Sequence, residues 1–131
     1  MKLPPAVIVH GLAQAQLAVA AGPVTLLSAP GAALYAGCGW WRAVVAASGT
    51  AGPDILDCAD APGRAMEALR AGCRIVILDP AVPAAPLVAA RAAVIGAVVL
   101  AAPPPALDLA APGALRRLAA WVRGDRPGPV G

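Results

Sequence analysis

The chain of 131 residues contains no phenylalanine, one tyrosine and three tryptophans, and Lys2 is its only lysine. It has a single histidine, and its three cysteines form no CxxC pair. Each shortage excludes something. Nucleic-acid binders present aromatic rings for base stacking or a dense basic stripe; with aromatics at 3% of residues, nucleic acid is not an expected partner. The arginines near the C-terminal end (Arg116, Arg117, Arg123, Arg126) read instead as a solvated face that complements the negative end of the last helix. An odd number of cysteines without paired spacing builds no disulfide framework, so Cys38, Cys58 and Cys73 read as reduced thiols of a cytoplasmic protein. No charged residue occurs between Leu3 and Trp41, yet Pro4, Pro5, Gln14, Gln16, Pro23 and Pro30 interrupt the run. A spanning helix needs about 20 mostly apolar residues without such breaks, so no membrane partner is expected. One lysine and two early prolines also make a poor secretory leader. Neither GxGxxG nor GxxxxGK[ST] occurs, so both phosphate-binding fingerprints are missing and no cofactor is indicated. A lone histidine among scattered carboxylates lacks the spacing of a metal site, and none is expected.

What is present is a 60% hydrophobic chain, rich in alanine, with a net charge of +3. Its length suits one domain, able to bury about two-thirds of its unfolded surface. Residues 1–123 read as a single α/β domain and residues 124–131 as a flexible tail rich in proline and glycine. Charged residues make up only 13% of the chain, too few to cover a monomer's surface evenly, so a homo-oligomer is expected.

The tripeptide Ala-Pro-Gly occurs three times, at 29–31, 61–63 and 111–113, each time before a helix-like stretch. The first two follow apolar runs ending at Ser28 and Cys58. Proline fits the first turn of a helix and glycine allows close backbone approach. The repeat is that of strand–turn–helix units, which build parallel sheets. Five strands are expected, at 6–10, 24–28, 54–58, 74–79 and 97–100, alternating with helices. The longest helix is expected from Gly31 to Ser48, burying Leu34, Cys38, Trp41 and Val45 at helical spacing. The proline run 103–105 reads as a stiff connector leading to the last helix. The fold expected first is a five-stranded parallel sheet with helices on both faces, in the flavodoxin-like order 2-1-3-4-5. The alternative is half of a βα barrel, since a full one needs about 250 residues.

Both arrangements put a site at the C-terminal edge of the strands. In the doubly wound order a crevice opens between strands one and three, beside His10, Asp57, Cys58 and Asp60. His10 is a candidate general base, Asp60 an acid–base partner or a helix cap, and Cys58 a nucleophile at a helix start. Ser28, Gly31, Asp57, Gly63 and Asp79 are candidate ligand contacts, with the turn at Ser28–Gly31 the better place for an anion. The expected ligand is small and polar or anionic. Catalysis by His10 with an Asp or Cys is one alternative. A non-catalytic oligomerisation or interaction module using Trp40, which could line a pocket with Tyr35, is the other.

Two stretches carry resemblances. Asp54-Ile55-Leu56-Asp57 followed by Pro62-Gly63 resembles the phosphoacceptor strand of two-component receiver domains. Such a domain has acidic residues after strand one and a lysine after strand five, where this chain has His10-Gly11 and Ala101-Ala102. Residues 68–80, a helix end, Ala71-Gly72, a strand and Pro80, are similar to one step of aldolase-type βα barrels. Schiff-base aldolases need a core lysine, and Lys2 stands at the terminus.

Overall fold

The computed structural model describes residues 2–125. The expected tail falls on 124–131, of which 126–131 lie outside the described residues. The elements run β1 (Ala6–Val9), α1 (Leu12–Ala21), β2 (Thr25–Ser28), α2 (Ala32–Tyr35), α3 (Gly37–Ser48) and β3 (Asp54–Asp57). They continue with α4 (Pro62–Arg70), β4 (Ile75–Ile77), α5 (Ala85–Val94), β5 (Val98–Leu100), β6 (Ala106–Asp108) and α6 (Ala114–Val122).

The α/β class and the parallel sheet are as expected; the strand count and order are not. The sheet has six strands in the order β5-β4-β3-β2-β1-β6, every pair parallel. β2 lies between β1 and β3, so the crevice expected between strands one and three does not form. The sixth strand follows the proline run, in a stretch expected to be only connector. From β1 to β5 each unit adds a strand on the same side, and right-handed crossovers then stack their helices on one face. Accordingly Ala18, Trp41, Ala65, Val88 and Leu118, from α1, α3, α4, α5 and α6, share one core with Val7, Val9, Leu26, Leu56 and Val76. Among the described residues the helices therefore pack on one face of the sheet, not on both.

The opposite face carries Leu27, Ile55, Ile75 and Ile77, all buried, with Leu3, Ile8, Leu100 and Ala106 packed against them. No helix residue joins this second cluster. Curvature explains its burial. The ladder register places Ala106 level with Ala6, Thr25, Pro53, Cys73 and Gly96 in turn, so Leu100 stands four residues further along than Ala106. In a flat six-stranded sheet five gaps of about 4.8 Å and a rise of about 13 Å would separate these residues by about 27 Å. The chain from 100 to 106 spans at most about 22 Å. The sheet must curl, and curling turns the isoleucine face into an inner surface covered by its own strands and by Leu3, which precedes β1.

Local chemistry explains where several helices begin. Two of the Ala-Pro-Gly repeats form turns closed by Ala32 N–H to Ala29 O and by Ala114 N–H to Ala111 O, each 3.1 Å. They hold Gly31 at φ +70 and Gly113 at φ +74, the left-handed geometry that glycine supplies cheaply. In the remaining repeat Pro62 and Gly63 are already helical. The expected long helix is two helices, broken at Gly37 with φ +86. The buried stripe therefore holds only in α3, where Trp41 and Val45 are buried, while Leu34 stands out in solvent before the break.

Candidate functional site

Side chains alternate along a strand, so residues two beyond the inner-face isoleucines come out at the C-terminal mouth of the curled sheet. His10 follows Ile8, Asp57 follows Ile55 and Asp79 follows Ile77. Asp108 pairs in register with Ile8 from β6. The strand order reverses at one place only, β1, which has β2 on one side and β6 on the other. There His10 Nε2 meets Asp108 Oδ1 at 2.7 Å.

The surroundings fix this pair. The His10 backbone N–H donates to Gln14 Oε1 at 2.8 Å, one turn into α1. Asp108 Oδ1 also accepts the Ala110 N–H at 2.9 Å, a local turn that sets its rotamer. Partial burial raises the Asp108 pKa. The Ala110 hydrogen bond and the adjacent imidazole lower it by more, and the carboxyl ends below its usual range. An ionised Asp108 accepting from Nε2 favours the tautomer with a bare Nδ1, a proton acceptor. Both side chains are partly open to solvent, so the pair is reachable.

Of the expected candidates, Asp57 and Asp79 share this mouth. Asp57 Oδ1 accepts the Ala59 N–H at 2.8 Å and Asp79 Oδ1 accepts the Ala81 N–H at 2.9 Å. The Asp79 N–H donates to Ala59 O at 2.8 Å, which ties the two loops together. Ala59 itself has φ +50, the one described non-glycine residue in the left-handed region. Beside it an open depression of about 430 Å³ is lined by Ala59, Asp60, Ile77, Asp79 and Ala101. Asp60 does not cap α4, whose N-cap is Ala61 with no side-chain bond.

Ser28, Cys58, Gly31 and Gly63 are placed differently. The Ser28 hydroxyl is buried, accepts the Asp57 N–H at 2.9 Å and donates to Ala29 O at 3.1 Å, so it joins β2 to β3. Cys58 packs in the helix-side core, across the sheet from His10. Burial, then the neighbouring Cys73, Asp57 and Cys38, push its pKa up to about 12, the reverse of an activated thiol. Gly31 is occupied with its turn, and Gly63 lines a groove between α4 and α5.

Neither a protein-family model, a curated protein nor a solved structure matches the chain. Among the described residues no three His, Cys, Asp or Glu side chains converge as a metal site, and no helix is long and apolar enough to cross a membrane. Sequence reasoning missed Asp108. Its signal was nonetheless present: Leu107-Asp108 precedes the third Ala-Pro-Gly much as Leu56-Asp57 precedes the second, an apolar residue and then an aspartate at a strand end.

Proposed function

We propose that the protein binds a small polar ligand at the C-terminal mouth of its curled sheet, against the His10–Asp108 pair. The observation that carries this reading is the pair itself, a bonded imidazole and carboxylate at the one reversal of strand order. Charge favours a neutral or cationic ligand over an anionic one. Asp57, Asp60, Asp79 and Asp108 stand at the strand ends, and the segments between each strand end and the following helix contain no Lys or Arg. The free thiols agree with a cytoplasmic setting.

A second reading is favoured by the same pair: an enzyme in which His10 takes a proton through Nδ1 while Asp108 stabilises the imidazolium. A thermal-shift screen with amines, polyols, nucleosides, organic acids and divalent cations tests both. A ligand at 100 times its Kd adds about 2.7 kcal/mol of stability. The expected result is a shift with a polar or cationic compound that is lost in His10→Ala and Asp108→Ala. A shift that survives both substitutions, or none with any compound, overturns the reading. Turnover of the ligand found, abolished in His10→Ala, identifies an enzyme; a ligand bound without turnover, with affinity weakened in His10→Ala, identifies a binder.

A further inference from the structure

We propose that the groove between β6 and α6 seats a second copy of this chain, forming a two-fold dimer. β6 is an edge strand, paired with β1 alone. Its outer side opens into a groove of about 580 Å³ with Leu107, Ala111, Ala120 and Trp121 on its walls. An open strand edge beside an apolar wall is a surface that proteins cover.

The charges select the occupant. The groove is lined by one cation, Arg117, and two anions, Asp125 and Asp108, and Asp108 is already bonded to His10. Arg117 and Trp121 lie one turn apart on α6. Asp125 is held beyond the helix end by the bonds Gly124 N–H to Trp121 O (3.0 Å) and Asp125 N–H to Ala120 O (2.8 Å), a Schellman closure with Gly124 at φ +87. Along this wall Arg117 thus precedes Trp121 and Asp125 follows it, beyond the helix end.

A two-fold axis perpendicular to the sheet, beside β6, runs β6 antiparallel to its copy and sets the two α6 helices antiparallel on the same face. Arg117 then faces the partner's Asp125, and Asp125 faces the partner's Arg117. The surface is thus its own complement, which is what an isologous interface requires. Arg117 has no acidic partner among the described residues. Among the described residues Asp125 pairs with Arg123 at 3.2 Å, a contact open to solvent and so a weak competitor. The Trp121 indole N–H is already bonded to Ala6 O at 2.8 Å, so its polar tip is engaged within the chain. The apolar groove between α4 and α5 lacks this property, because its lining charges, Arg70 and Arg91, are both positive.

Sedimentation equilibrium of the full chain across the micromolar range tests the proposal, with Arg117→Asp, Asp125→Arg and the double reversal. Both side chains are exposed, and circular dichroism checks that each variant stays folded. The expected result is a wild-type dimer, weakened about tenfold or more by either single reversal because two symmetric pairs become repulsions, and restored by the double reversal. A monomeric wild type overturns the proposal. So does a dimer indifferent to the single reversals, or one that the double reversal fails to restore.

Discussion

His10 Nε2 and Asp108 Oδ1 stand 2.7 Å apart although 98 residues separate them in the chain. The contact spans the junction of the first strand with the last, so it joins the two ends of the fold as well as marking its candidate site.

The Ala110 hydrogen bond and the His10 contact together give stability a pH dependence through Asp108. Its native pKa lies below the ordinary 3.8, so its stabilising contribution is complete above 3.8 and disappears as pH falls through the lowered native value. Asp108→Asn is expected to be less stable than wild type near neutral pH, with the difference shrinking in acid. Urea unfolding at a series of pH values measures this, and a pH-independent difference would sink the assignment.

Ala59, at φ +50, sits in a conformation that costs an L-residue about 1–2 kcal/mol. Glycine removes that strain and loses about 0.5–1 kcal/mol through unfolded-state entropy. Ala59→Gly should therefore stabilise the protein slightly, by up to about 1.5 kcal/mol. Destabilisation in thermal melts would mean that the methyl group packs against something that matters more.

Trp41 is fully buried and its Nε1–H donates to Asp54 Oδ1 at 3.1 Å, while Arg42 Nη1 stands 3.7 Å from the other oxygen. Burial raises the Asp54 pKa, and Trp41 and Arg42 offset only part of that. Trp41→Phe removes the donor and opens a cavity, with an expected loss of about 2–3 kcal/mol. The raised pKa means that Asp54 is protonated more readily in the folded state, so its penalty eases as pH falls towards and below the native value. The cost of Trp41→Phe should accordingly be smaller in acid. An equal cost at all pH values would show that the carboxylate does not depend on the indole.

The thiols should react in a set order. Cys58 and Cys73 are buried, with pKa values pushed up to about 12 and about 11, whereas Cys38 is half-buried. A thiol reagent should modify Cys38 first in the native protein and the other two only on unfolding. Because the native Cys58 pKa lies above its ordinary 9.0, stability should fall as pH rises from 9.0 towards 12, and less so in Cys58→Ala. Rapid native labelling of Cys58 would return it to the list of nucleophiles.

Local chemistry in the sequence determined the alternation of strands and helices, the parallel class, the five strands β1 to β5 and the turns that launch α2 and α6. Apolar runs, Pro-Gly pairs and helix-ending glycines act over a few residues, and their energetics do not depend on distant partners. The polar strand ends at His10, Asp57 and Asp79 were legible for the same reason. Tertiary structure decided the rest. Strand order is set by which edges find one another, and no local periodicity records that. β6 has three residues after a proline run, and only pairing with β1 makes it a strand. The uninterrupted apolar strands called for cover on both faces; one cover is a helix layer and the other is the curled sheet itself, which a short β5–β6 connector enforces. Asp108 became a partner of His10 only once that connector had brought β6 to the side of β1.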